Sequence, residues 1–126
     1  MATQPVPLPS ELMLETEKKS SETIVRATGR VTSSTAAMLE NTLRDLVSDS
    51  ERVVLDLTQV DYIDSSGLGA LVSAYMHARR TNCDLEIANP KQRVRDLFSR
   101  SGLAKVFASV QEAGARHDEL FGMTPD

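Results

Sequence analysis

Hydrophobic and polar positions along the chain alternate between the two-residue period of strands and the longer period of helices. Residues 12–16 and 23–28 are short apolar segments with strand-forming composition, and the second ends at Gly29. The polar stretch 17–22 between them predicts a turn. These two segments are therefore expected to pair as a hairpin.

The next two segments predict a helix followed by a buried strand. Leu39, Leu43, Leu46 and Val47 lie at positions i, i+4, i+7 and i+8, which share one face of a helix. Residues 53–57 form a nearly continuous branched apolar run. Such a run is typical of a central strand that is covered on both faces.

The pattern then predicts a turn at 59–61 and a second helix, for which Ser65 or Ser66 is the expected N-cap. The apolar stripe of this helix contains Leu68, Leu71, Val72 and Tyr75. A strand follows at 83–87, in which apolar and acidic residues alternate.

Asn89 and Pro90 predict the N-cap and first residue of a third helix. This helix should bury Val94, Leu97 and Phe98, and Gly102 is its expected C-terminal cap. Residues 105–107 predict a last strand and residues 109–120 a final helix.

The element order predicts an α/β fold with a mixed, mostly parallel sheet of about five strands and about four helices. Residues 1–10 carry Pro5, Pro7 and Pro9 and are expected to form a flexible N-terminal arm. Residues 11–121 are expected to form one domain, followed by a C-terminal tail at 122–126.

Composition narrows the functional classes. The net charge of −4 argues against a dedicated nucleic-acid binder, although a local basic patch remains compatible with it. The chain begins without the features of a signal peptide and has no apolar run of the length that spans a membrane, so a cytoplasmic protein is expected. The single cysteine, Cys83, excludes an intrachain disulfide and fits a small core residue.

No enzymatic or metal site is expected. His77 and His117 have no metal-ligand spacing with Cys83 or with carboxylates, so neither a metal nor a cofactor is predicted. A triad of Ser65, His77 and Asp64 fails because His77 would lie about 18 Å down the helix.

The segment 64–69, Asp-Ser-Ser-Gly-Leu-Gly, is the candidate functional site. It follows the buried strand, at the sheet edge where α/β proteins build their sites. Two glycines in a first helical turn are costly, so either tight packing or the close approach of another surface should compensate. A phosphate on a serine at a helix start is held by the free N–H groups and the helix dipole. The residues alone leave two interpretations open: ordinary N-cap serines or a phosphorylation switch.

Several separated motifs carry a resemblance to a known family. The passage 54–71, with Val60-Asp61-Tyr62-Ile63-Asp64-Ser65-Ser66-Gly67 at its centre, resembles the signature of STAS domains of the anti-sigma-factor-antagonist family. The residues Gly29-Arg30-Val31, Asn89-Pro90, Leu97-Phe98, Ser101-Gly102-Leu103 and Val106-Phe107 also match in order and spacing. The resemblance covers residues from about 12 to 110.

The resemblance implies a switch in which Ser65 is phosphorylated by an anti-sigma factor that is itself an ATP-dependent serine protein kinase. The unphosphorylated chain would bind this kinase and free a sigma factor, as in stress-response transcription regulation, and a serine phosphatase would reset it. The implied partner-binding residues are Asp64, Ser66, Gly67, Leu68, Gly69, Thr32 and Ser33. Thr32 stands where family members often have Asp, which makes it either a neutral cap substitute or the mark of a divergent partner.

Two alternatives remain. The chain could be a STAS adaptor or structural subunit of a stress-signalling or lipid- or anion-transport complex, and an enzyme is the least supported class. The basic residues Lys91, Arg93, Arg95 and Arg100 on the third helix are either a solvated face or a contact for an acidic partner or a phosphate.

Overall fold

The fold is described from a computed structural model, which describes residues 11–101. In chain order, the elements are β1 (Leu12–Lys19), β2 (Glu22–Val31), α1 (Ala36–Asp49), β3 (Arg52–Ile63), α2 (Ser65–Arg80), β4 (Asp84–Ala88) and α3 (Gln92–Arg100). The predicted α/β class is confirmed. The predicted strand at 105–107, the helix at 109–120, the cap at Gly102, the arm and the tail lie outside the described residues.

The four strands form one sheet in the order β1-β2-β3-β4. β1 and β2 pair antiparallel, whereas β2–β3 and β3–β4 pair parallel, with α1 and α2 as the two crossovers. The hairpin is confirmed, but its turn is shorter than predicted because Lys19 still pairs with Glu22. Ser20 allows the tight reversal by adopting a positive φ of 51°.

The predicted turn at 59–61 is wrong, because β3 continues to Ile63. Its register against β2 shifts twice, between the partners of Arg26 and Thr28 and between those of Gly29 and Arg30. Each shift places one extra residue in β3, which is the geometry of a β-bulge. The polar residues that resemble a turn are therefore absorbed as bulges in a strand that keeps its pairing.

The core lies between the sheet and the helices, and aliphatic side chains dominate it. The predicted faces are largely confirmed: Leu39, Leu43 and Val47 of α1 are buried, and Leu46 is partly buried against the same cluster. Cys83 is buried as expected. One acidic residue joins the core, since Glu86 of β4 is fully buried and forms an ion pair with Arg52.

The predicted start of the third helix is wrong by two residues. α3 begins at Gln92 with Lys91 in the N-cap position, and Asn89 adopts a positive φ of 56° instead of capping. Asparagine tolerates the left-handed region better than most residues. Asn89 thus redirects the chain at the end of β4 and sets where α3 lies against β3.

Candidate functional site

The segment 64–69 lies where the parallel strands β2 and β3 end. The backbone N–H of Asp64 donates to the carbonyl of Val31, the last residue of β2, at 3.1 Å. This bond holds the start of α2 against the loop that leads into α1. The site is therefore built at the carboxyl edge of the sheet, as α/β folds favour.

Asp64, and not a serine, caps α2. Its carboxylate accepts hydrogen bonds from the backbone N–H groups of Ser66 at 2.9 Å and Gly67 at 3.1 Å. Asp64 has the extended backbone of an N-cap residue, whereas Ser65 is the first residue inside the helix. The interpretation of Ser65 or Ser66 as the N-cap is therefore wrong.

The Ser65 hydroxyl is left without a structural role in the part of the chain that is described. Ser65 and Ser66 are both exposed. Within residues 11–101, the Ser65 hydroxyl makes no hydrogen bond. Its oxygen is thus available to an incoming group without any loss of helix capping.

The two glycines of the segment lie in different surroundings, as shown by the atoms that an added Cβ would meet. A Cβ on Gly67 would lie 2.8 Å from the Val31 carbonyl oxygen and 2.7 Å from Cγ2 of Ile63, so the helix can approach the strands only because residue 67 has no side chain. A Cβ on Gly69 would meet no atom of residues 11–101 within 4 Å. Tight packing therefore accounts for Gly67, while Gly69 is an open position on the surface beside the serines.

The loop from 32 to 35 is ordered by its own hydroxyl groups. Thr35 Oγ1 accepts from the Thr32 backbone N–H at 2.9 Å and donates to the Arg30 carbonyl, also at 2.9 Å. The Thr32 hydroxyl accepts from the backbone N–H of Ser34 at 3.4 Å. The Thr32 side chain therefore satisfies a backbone N–H group of its own loop, and Ser33 is exposed beside it.

A cavity of about 420 Å³ opens beside Ser65. One wall is formed by the end of β3 and the start of α2, with Tyr62, Ile63, Asp64 and Ser65. The other wall is formed by α3, with Arg93, Val94, Leu97 and Arg100. The lining is mostly apolar, and its two arginines come from α3, whereas Ser65 comes from α2.

The predicted basic cluster is divided by the fold. Lys91 forms an ion pair with Asp61, and Arg95 donates to the Pro90 carbonyl at 3.2 Å. Only Arg93 and Arg100 line the cavity. Their spacing of seven residues places them on one face of α3, which is the signal that the sequence carried for this pair.

Some of the charged side chains around the cavity are paired with an opposite charge, and others are not. The Lys91 ammonium beside Asp61 holds the pKa of that carboxyl below its usual range, with smaller contributions from Arg30 and Arg93. The Arg30 guanidinium lies over the Tyr62 ring, 4.3 Å from its centroid. By contrast, Arg93 and Arg100 have no carboxylate within ion-pair distance among the residues that the structure describes.

Neither a metal site nor a membrane span is seen in the described range. Between residues 11 and 101, no three His, Cys, Asp or Glu side chains group as metal ligands would. None of the helices described is long and apolar enough to cross a membrane.

Comparison with known proteins agrees with the fold. The STAS domain family matches residues 13–113, so the chain belongs to this family. BtrV of Bordetella bronchiseptica, named as an anti-sigma factor antagonist, is 38% identical over 90 residues, which cover 69% of this chain and 78% of BtrV.

Two solved structures of SpoIIAA share the fold: one is of the anti-sigma factor antagonist in its unphosphorylated form, the other of the Bacillus cell fate determinant in its phosphorylated form. The unphosphorylated form has a TM-score of 0.70 and 16% identity, covering 90% of this chain and 100% of that one. The phosphorylated form has a TM-score of 0.64 and 15% identity, covering 80% and 91%.

Proposed function

We propose that this chain is an anti-sigma factor antagonist whose binding is switched by phosphorylation of Ser65. The unphosphorylated form binds an anti-sigma factor that is also an ATP-dependent serine kinase, and this binding frees a sigma factor. Phosphorylation ends the binding, and a serine phosphatase restores it. The observation that carries the proposal is the exposed Ser65 hydroxyl at the start of α2, which makes no hydrogen bond within residues 11–101.

The capping arrangement supports a modification that leaves the fold intact. In the transfer, a bond forms between Ser65 Oγ and the γ-phosphorus as the bond to ADP breaks, and the hydroxyl proton passes to a base of the kinase. Because Asp64 caps the helix, the reaction removes no hydrogen bond that α2 needs. The exchange would run in the cytoplasm, where the kinase finds ATP.

The surface around Ser65 supports the close approach of a partner. Ser66 and Gly69 are exposed, and the space above Gly69 is open. Gly67 and Leu68 are buried, so they shape this surface from beneath. Thr32 and Ser33 belong to the neighbouring loop, which the bond from Asp64 to Val31 holds against the start of α2.

Phosphorylation would disfavour this contact for a simple electrostatic reason. A phosphoserine carries about −1.5 to −2 charges at neutral pH, and these charges must lose water when the partner docks. The cost adds to the repulsion from any acidic group on the partner. The expected result is a loss of binding without unfolding of the domain.

The test uses Ser65 with its neighbour Ser66 as a matched control. Purified chain is incubated with ATP and candidate anti-sigma kinases, and the modified residue is mapped by mass spectrometry. Ser65→Ala should abolish labelling and retain kinase binding, whereas Ser66→Ala should be labelled normally. Ser65→Asp should bind at least tenfold more weakly, a loss of about 1.4 kcal/mol.

Two outcomes would contradict the proposal. One is labelling of Ser66 with Ser65 unmodified. The other is kinase binding by Ser65→Asp at the affinity of the unmodified chain, with circular dichroism showing that both are folded. The first outcome would show that Ser66, and not Ser65, is the phosphorylated residue. The second would show that negative charge at position 65 does not control kinase binding.

A further inference from the structure

The cavity beside Ser65 is lined by two arginines of α3. Arg93 and Arg100 line one wall, and among residues 11–101 the other wall has one acidic residue, Asp64. The Asp64 carboxylate already accepts two backbone N–H groups, and the nearby Asp61 is paired with Lys91. Within the described residues, Arg93 and Arg100 line the same cavity as Ser65, and neither of them forms an ion pair.

The dimensions and the donors suit a phosphoryl group. A cavity of about 420 Å³ is many times the roughly 30 Å³ that a water molecule occupies in the liquid, so a phosphate enters with room for water. Arginine presents donors in a planar fork that matches phosphate oxygens. Both arginines are exposed and neither forms an ion pair within residues 11–101, so turning toward a phosphate would break no ion pair there.

We propose that, once Ser65 is phosphorylated, Arg93 and Arg100 hold its phosphate inside this cavity. The inference rests on the proposed phosphorylation of Ser65 and adds where the resulting phosphate group binds. The phosphorylated form is then a self-bound state, in which the anion folds back onto α3 of its own domain. Phosphorylation would remove the exposed hydroxyl and neutralise the positive wall in the same step.

The experiment needs no partner protein. Phosphoserine is incorporated at position 65 during translation, and the phosphate is titrated by ³¹P NMR at low salt. The second pKa of free phosphoserine is about 6, and two adjacent guanidinium groups favour the dianion. The pKa of this phosphate should be lower by about 0.5 to 1 unit in the otherwise unchanged chain than in the R93Q/R100Q variant.

Two further variants separate specific contact from general charge. R79Q/R80Q removes two exposed arginines from the far end of α2, about 20 Å from Ser65 at 1.5 Å per residue, and should leave the titration unchanged. R93K/R100K keeps the charge but loses the planar fork, and should restore most of the pKa difference. Raising the salt to 1 M should shrink the difference.

Equal phosphate pKa values in the unchanged chain and in R93Q/R100Q would overturn the inference. A shift of the same size in R79Q/R80Q would overturn it too, because it would reduce the effect to net charge. The result is independent of the kinase assay. If the titration succeeds but no kinase labels Ser65, the proposed function fails and the phosphate site stands; the reverse result removes only the phosphate site.

Discussion

Replacing each glycine of the site by alanine should have opposite effects on stability. At Gly67, the new methyl group would lie 2.7 to 2.8 Å from Ile63 Cγ2, from Val31 Cγ1 and from the Val31 carbonyl oxygen. The carbonyl cannot retreat freely, since it accepts the N–H of Asp64 that fixes the start of α2. At Gly69, the methyl group would meet no atom within 4 Å in the part of the chain that the structure describes.

The magnitudes follow from two opposing terms. Alanine is favoured over glycine in a helix by about 1 kcal/mol, with a smaller gain expected in the first turn. Overpacking costs about 1 to 3 kcal/mol when backbone must shift. Gly67→Ala should therefore lower the free energy of unfolding by about 1 to 2 kcal/mol, whereas Gly69→Ala should raise it by about 0.5 to 1 kcal/mol.

Urea denaturation followed by circular dichroism measures both variants against the unchanged chain. The two substitutions are matched in chemistry and lie two residues apart in the same helix, so helix propensity nearly cancels between them. A Gly67→Ala variant as stable as the unchanged chain would refute the packing argument. Destabilisation by Gly69→Ala would show that its surroundings are not open.

Four further results are expected. Arg52→Gln removes the guanidinium that pairs with a fully buried glutamate and should cost about 3 kcal/mol in a urea titration, whereas a loss under 1 kcal/mol would make that pair a surface interaction. Asp64→Ala should cost about 1 kcal/mol by loss of the α2 cap, and Asp64→Asn, which keeps an accepting oxygen, should cost clearly less. Cys83 should react with a thiol reagent about 100-fold more slowly in the folded chain than in urea, because burial shields the thiol and raises its pKa. Equal reaction rates in the folded chain and in urea would contradict the burial of Cys83. Lys91→Gln should return the pKa of the Asp61 carboxyl toward its ordinary value, which NMR titration of that carboxyl group measures. A carboxyl whose pKa is lower in the folded than in the unfolded chain stabilises the fold above the unfolded pKa, and this stabilisation is lost as the pH falls through the folded pKa. The variant should therefore lack this pH-dependent stabilisation.

Local patterning predicted the scaffold because each element buries a face that the sequence periodicity marks. The spacing alone predicts the core face of α1: Leu39, Leu43 and Val47 are buried, and Leu46 is partly buried. The hairpin and the buried strand at 53–57 follow from apolar runs between polar segments in the same way. Within residues 11–101, the order of strands and helices needed no tertiary information.

Three features were decided only by tertiary contacts. β3 continues through its polar residues because pairing with β2 outweighs their turn preference, and the surplus residues become bulges. Glu86 is buried although it is acidic, since Arg52 lies on the neighbouring strand and pairs with it.

The third feature concerns the candidate site. The sequence by itself marked Ser65, its two nearby glycines and a basic third helix, and a family resemblance suggested the switch. It could not show that Asp64 frees the Ser65 hydroxyl from capping, or that Arg93 and Arg100, 28 and 35 positions further along the chain, line the same cavity as Ser65. Periodicity reports only local neighbours along one element. Contacts across such separations exist only after the crossover through α2 and β4 places α3 against the end of β3.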